Sequence, residues 1–300
     1  YQTMARGYLR FDDFRRFVDA NPQLREIELS KFGEIFLNPQ LPKIIEYAHR
    51  KGIRLSATNG VNLNTVRETT LEALVKYGFY HMRCSIDGAS QETYEQYRVR
   101  GNFDRVMANI DKINEFKKKY DSEYPMMTWQ FVVFGHNEHE IRTAREMAEE
   151  RGMTFETKLN WDENWSPVRD KEMVRVEMGI GAVTRSEFKE KFGSSYTGFI
   201  CHQLWDQPNF NFDGTVWGCC HNYWKPFEGN VFDDGLETAM NTEQLVYARR
   251  MLTEEIEPRD DIPCTSCSIY KMMRRDGSRL DRVNVVNQRQ GSAVPDSIGS

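Results

Sequence analysis

The chain has 300 residues, a formal net charge of −5, 39% hydrophobic residues and six cysteines. That length suits one large or two moderate domains with enough chain to bury a core, and the acid excess excludes a general nucleic-acid binder. No apolar run is long enough to span a bilayer and no signal peptide is seen, so a cytoplasmic protein without membrane contact is expected.

The first half alternates strand-like and helix-like patterns. Phe11, Phe14, Phe17 and Val18 mark one face of a short helix that stops near Asn21-Pro22. Ile27 and Leu29 alternate with Glu26, Glu28 and Ser30, as in a strand ending at Gly33. Pro42 opens a helix with Ile44, Ile45, Tyr47 and Ala48 as its apolar stripe and Gly52 at its end. Ile53 to Ala57 reads as a strand closed by Thr58-Asn59-Gly60, and Val66, Leu71, Leu74 and Val75 as a helix stopped at Gly78. Tyr80 to Ile86 is the next strand, followed by a helical piece over Glu92 to Arg98. Phe103, Val106, Ile110 and Ile113 then mark a long helix ending in Lys117-Lys118-Lys119, a solvated helix end rather than a binding patch. Thr128 to Phe134 is a β-branched and aromatic strand. Ile141, Ala144, Met147 and Ala148 give a further helix, and Thr154 to Leu159 a last strand.

Five such β/α repeats predict an α/β fold, a parallel sheet with helices outside it, open or curled into a barrel. Reactive groups in such folds sit on loops at the C-terminal ends of strands. The polar and glycine-rich pieces fall there: Gly33-Glu34, Thr58-Asn59-Gly60, Ser85 with Asp87, and Gly135-His136-Asn137. From about Trp161 to Gly193 the pattern breaks into a polar stretch that reads as a linker.

The last third holds five of the six cysteines: Cys201, Cys219, Cys220, Cys264 and Cys267. Cys264-Thr265-Ser266-Cys267 is a C-x-x-C pair, a spacing that lets two thiolates converge on one metal or cluster. With no export signal, ligation in a reducing cytosol is expected rather than a disulfide framework. Cys219 and Cys220 are adjacent, and in an extended chain they point to opposite faces, so one of them is the ligand. Cys84, mid-strand, reads as a buried core residue. A helix is expected near Thr242 to Leu252, Trp205, Trp217, Tyr223 and Trp224 form an aromatic shell, and a disordered tail follows from 281.

In this order, Gly33-Glu34, Thr58-Asn59-Gly60, Ser85-Ile86-Asp87-Gly88, Tyr97-Arg98 and Gly101-Asn102-Phe103 resemble radical SAM enzymes. The cysteine region resembles the SPASM/twitch extension that follows the barrel in one branch of that superfamily. The resemblance implies a partial (β/α)6 barrel over 1–165, then a linker and a small irregular α+β SPASM/twitch domain over 166–280. It implies S-adenosylmethionine binding by Gly33, Glu34, Thr58, Asn59, Gly60, Ser85, Asp87 and Asn137. It leaves Arg98 either on the cofactor carboxylate or paired with Glu92 or Glu95. Cys201, Cys219, Cys264 and Cys267 would hold one auxiliary 4Fe–4S cluster, a structural zinc site being the alternative for the same thiolates.

The chain contains no C-x-x-x-C-x-x-C, the family's primary-cluster loop. Tyr1 falls about where that loop should end, so a barrel without its first strand is expected, either through truncation or through natural loss, and the chain as given should not cleave S-adenosylmethionine. The implied activity is radical hydrogen abstraction with an auxiliary cluster. Oxidation of a sugar or aminocyclitol alcohol, peptide or protein modification, and a non-catalytic zinc-binding scaffold are the readings left open. The implied partners are a small-molecule or peptide substrate and an electron donor such as flavodoxin or ferredoxin.

Overall fold

The structure, a computed structural model, describes residues 6–193, 195–196 and 201–276. The expected tail from 281 lies outside them. Two compact units are formed, one from residues 10–18 and 22–198, the other from 1–9, 19–21 and 199–300.

The larger unit is built on a five-stranded sheet in the order β1 (Glu26–Glu28), β2 (Arg54–Val61), β3 (His81–Ser85), β4 (Met126–Val133), β5 (Thr154–Leu159), each pair of neighbours parallel. Helices supply the crossovers: α2 (Leu41–Arg50), α3 (Glu68–Lys76), α4 (Gln91–Tyr97) with α5 (Phe103–Tyr120), and α6 (Ile141–Glu150), while α1 (Phe11–Ala20) precedes the sheet. Sequential strand order with a crossover at each step is what a right-handed β/α repeat gives.

Strand residues alternate, and the two faces of this sheet differ sharply. Leu55, Ala57, Met82, Cys84, Met127, Trp129 and Phe131 are buried on one face. Phe103 of α5 packs against Trp129, and Arg145 of α6 lies over Phe155, so helices cover this side. The other face carries Glu26, Glu28, Ser56, Thr58, His81, Arg83, Ser85, Thr128, Gln130, Glu156 and Lys158. Side chains cross between strands there: Ser56 donates to Glu26, His81 bonds Thr128, Arg83 pairs with Glu156 at 2.9 Å, and Lys158 donates to Gln130. A parallel sheet covered on both faces reads as continuous apolar runs; this one keeps a second face for polar chemistry.

Two segments depart from the sequence reading. Thr58-Asn59-Gly60 does not close β2 but lies inside it. The register against β3 slips from Ala57↔Met82 to Val61↔Cys84, a bulge. The ladder bonds missing there are replaced by side chains: Glu28 accepts from the Thr58 N–H and hydroxyl, and Ser30 Oγ accepts from the Asn59 N–H. The polar stretch after Trp161 holds two helices, α7 (Lys171–Met178) and α8 (Arg185–Phe192). Asp170 and Thr184 cap their first turns, and Gly179 and Gly193 end them in the left-handed conformation. No residue of α8 is buried, which leaves no apolar stripe to reveal it.

The smaller unit has little regular structure. It contains α9 (Gln203–Asp206), an antiparallel pair of β6 (Asn209–Phe210) and β7 (Val216–Gly218), α10 (Leu236–Met240), α11 (Glu243–Leu252) and α12 (Ser268–Asp276). Leu204, Trp217, Phe227, Leu245, Met251 and Ile262 are among its buried side chains. No described helix is long and apolar enough to cross a membrane.

Candidate functional site

The C-terminal ends of β1 to β4 bring most of the expected site residues together. Gly33 turns the chain after β1 with φ +76°, a conformation that favours glycine, and Glu34 follows. The Glu34 carboxylate accepts the Phe36 N–H at 3.1 Å and, across the strand ends, the Asn62 N–H at 2.7 Å. It thereby caps a short 3₁₀ turn, Ile35–Leu37, and ties that turn to the end of β2. Burial pushes the Glu34 carboxyl up, while the Phe36 and Asn62 N–H groups and the Arg98 charge hold it down. An acid held this way is poised to receive a cation, which would draw it back to the ionised form.

Gly60, inside the bulge, has φ +117°, and a Cβ built there would lie 2.5 Å from Ser85 Oγ and 3.7 Å from Gln130 Nε2. Ser85 is 7% exposed, and among the described residues no hydrogen bond uses its hydroxyl. The missing side chain at Gly60 thus leaves bare backbone against an unspent hydroxyl. Gly60→Ala is expected to destabilise the larger unit by about 1–3 kcal/mol, because the φ is strained for any side chain, and to displace Ser85. Denaturant titration checks the first effect; an unchanged midpoint counts against the strain assignment.

Thr58 and Asn59 border this point but are turned to Glu28 and Ser30 as described, with Arg83 donating to the Thr58 carbonyl at 2.8 Å. Asp87 and Asn137 lie deeper. Both are 0% exposed, and their side chains hold strand ends together. Asp87 Oδ2 accepts from Arg98 Nε and Nη2, each at 2.6 Å, and Oδ1 accepts the Val132 N–H at 2.7 Å. Asn137 donates to the Asp87 and Val132 carbonyls and accepts the Phe134 N–H. Burial pushes the Asp87 carboxyl up, against the Arg98 charge and the Val132 N–H. Arg98 therefore pairs with Asp87, not with Glu92 or Glu95. These three residues position the strand ends; Gly33, Glu34, Gly60 and Ser85 face the space beside them.

The sequence reading missed the charged row on the polar sheet face. Arg83 bonds both the Thr58 carbonyl and Glu156, and Lys158 bonds Gln130, two cross-strand links on the same face. Period-two alternation in His81-Met82-Arg83-Cys84-Ser85 and in Glu156-Thr157-Lys158 carries the signal that would have found them.

The cysteines of the smaller unit lie near one another. Cys201, Cys219 and Cys267 are buried free thiols, and Cys264 is half-buried. Burial pushes the Cys201 and Cys264 thiols up, with neighbouring cysteines adding to it. Cys219 is pushed up to about 11 by burial, while the His221 and Asn222 N–H groups oppose this. Cys220 is the more exposed neighbour, its N–H donating to Gln203 at 2.7 Å. Among the described residues no three or more His, Cys, Asp and Glu side chains converge tightly enough to hold a single metal ion. One zinc ion would need its sulfurs about 3.8 Å apart, as follows from tetrahedral bonds of about 2.3 Å. A cluster spreads its four thiolates over four irons and so does not ask for that convergence. Cys84 stands apart in β3, fully buried under the helices, where burial pushes its thiol up to about 12.

No family model matches the sequence. Over 153 residues, 50% of this chain, it is 30% identical to the AdoMet-dependent heme synthase of Methanosarcina barkeri (strain Fusaro / DSM 804), covering 41% of that protein. The chain thus spans less than half the length of this curated relative. In fold it is similar to Streptococcus suis SuiB bound to S-adenosylmethionine, with a TM-score of 0.59 at 14% identity over 89% of this chain and 66% of SuiB. It is also similar to anSMEcpe with bound AdoMet and Cp18Cys peptide, with a TM-score of 0.53 at 13% identity over 95% of this chain and 93% of that one. The chain thus shares its fold with proteins solved with S-adenosylmethionine bound.

Proposed function

We propose that this chain carries the S-adenosylmethionine-binding sheet and an auxiliary 4Fe–4S site of an enzyme that abstracts hydrogen from a peptide or small-molecule substrate. S-adenosylmethionine held there would, on gaining one electron that came from a donor such as flavodoxin or ferredoxin, supply methionine and a 5′-deoxyadenosyl radical. The observation that carries the reading is the pair of strand ends where Gly60 packs its bare backbone against Ser85 Oγ, too close for any side chain, and Glu34 is held at the neighbouring strand end. Glu34 would receive the cofactor's ammonium, Gly60 would let Ser85 lie against the backbone, and the Ser85 hydroxyl would donate or accept beside it. Thr58 and Asn59 shape the bulge that holds Gly60, and Asp87 and Asn137 fix the strand ends. None of the six cysteines lies in a C-x-x-x-C-x-x-C, so this chain's residues do not fit the primary cluster, and no step is assigned to it.

The partial-barrel reading of the larger unit and the SPASM/twitch reading of the smaller unit are parts of this proposal. The four-thiol grouping supports the latter. A peptide substrate is supported by the likeness to SuiB, solved with its precursor peptide SuiA, and to anSMEcpe with Cp18Cys peptide. Oxidation of a sugar or aminocyclitol alcohol is a second reading, favoured by four cysteines with no further ones after the C-x-x-C.

The test is binding of labelled S-adenosylmethionine across pH. Burial raises the Glu34 carboxyl above its ordinary value. Binding that needs its ionised form should therefore strengthen as pH rises through that raised value and weaken on acidification. Glu34→Gln is expected to lose roughly tenfold or more in affinity, the cost of removing a charged hydrogen bond, and to flatten the pH profile. A variant that binds as tightly with the same profile sinks the assignment.

A further inference from the structure

We infer that the polar face of the sheet, around Arg83, Gln130, Lys158 and Asn160, binds a carboxylate of the substrate; this rests on the radical SAM reading of the adjoining strand ends.

The argument starts from hydrogen-bonding capacity that the protein leaves unspent. Arg83 Nη1 and Nη2 are used by the Thr58 carbonyl and Glu156, yet Arg83 Nε is buried without a partner. Gln130 is 6% exposed; its Oε1 accepts from Lys158, and among the described residues no hydrogen bond uses its Nε2. Asn160, 3% exposed and just past β5, donates to the Val133 carbonyl but leaves Oδ1 buried and unpaired. Arg83 Nε and Asn160 Oδ1 are buried without a partner among the described residues, at a cost of about 1–3 kcal/mol each, and with the unused Gln130 Nε2 they mark a place where a ligand completes the bonding.

The balance of these atoms selects the ligand. Arg83 Nε, Gln130 Nε2 and the remaining Lys158 protons are donors, and only Asn160 Oδ1 is an acceptor. Among the described residues no carboxylate is bonded to Lys158, Glu156 being taken by Arg83. Burial and the Arg83 charge push its amine down to about 8. A half-buried cation with a neutral partner, beside a buried guanidinium N–H, calls for a carboxylate. The unpaired Asn160 acceptor would take an N–H or O–H near it. Gln130 Nε2 also lies 3.7 Å from the Cβ position of Gly60, so this region adjoins the proposed cofactor cradle.

The test uses titration calorimetry of the full chain with glutarate, its neutral isostere glutaramide, and S-adenosylmethionine. Glutarate is expected to bind and glutaramide not. Lys158→Met should weaken glutarate roughly tenfold to hundredfold, the cost of a lost charge-assisted hydrogen bond, and Lys158→Arg should keep binding, which separates lost charge from misfolding. Glutaramide binding as well as glutarate, or glutarate unaffected by Lys158→Met in a folded variant, overturns the inference. So does a matching loss of S-adenosylmethionine binding in Lys158→Met, since the carboxylate recognised would then be the cofactor's own. Glutarate binding with no S-adenosylmethionine binding at all sinks the cofactor reading and leaves a carboxylate site.

Discussion

Asp87→Ala is expected to cost the larger unit about 3 kcal/mol, the low end of what breaking a buried ion pair costs. The low end applies because the Arg98 side chain retains 25% exposure and can turn towards water, whereas Asp87 is fully buried. What cannot relax is the Val132 N–H, which loses its acceptor inside the sheet. The Asn137 side chain bridges the backbone carbonyls of Asp87 and Val132, and the substitution leaves those two bonds in place. Asp87→Asn keeps an oxygen for Val132 and should cost clearly less. Chemical denaturation of the three proteins decides it: an Asp87→Ala loss below about 1 kcal/mol, the worth of one ordinary hydrogen bond, would mean that the Arg98 pair holds nothing together.

The second large effect concerns iron. Anaerobic reconstitution of the chain is expected to give a brown protein with about four irons and four thiolate ligands. Cys264→Ser with Cys267→Ser should abolish it. Those two cysteines bracket a tight turn, the Cys267 N–H donating to the Cys264 carbonyl at 3.0 Å, so the pair presents both sulfurs from one short segment. Cys219→Ser should lose the cluster as well, because the His221 and Asn222 N–H groups are directed at that sulfur. Cys220→Ser and Cys84→Ala should keep it. Stoichiometric zinc without colour would replace the cluster with a structural metal site.

Most of the β/α repeat was legible because its helices have apolar stripes and glycine stops, and its strands have short apolar runs. The strand ends were legible as places, less so as roles. Arg98 could not be assigned from sequence, since its partner Asp87 lies eleven residues away, beyond helical spacing. The bulge at Thr58-Asn59-Gly60 looked like a turn, because its extended path depends on Glu28 and Ser30 from another strand. The polar face escaped notice for a different reason: attention to loops passed over charges inside strands. α7 and α8 were hidden by their lack of a long apolar stripe, although Thr184 and Glu187 form a readable capping box.

The two-sided sheet has an evolutionary consequence. Residues such as Gln130 and Lys158 are held in place by nothing that the fold itself requires, and their burial opposes folding. Apolar replacements there should make the empty chain more resistant to denaturant while removing its use. Selection on stability alone would erase this row within a lineage, whereas Met127 and Trp129 on the opposite side would persist. Among descendants that no longer act on substrate, the polar row should be the first part of the sheet to drift towards leucine and valine.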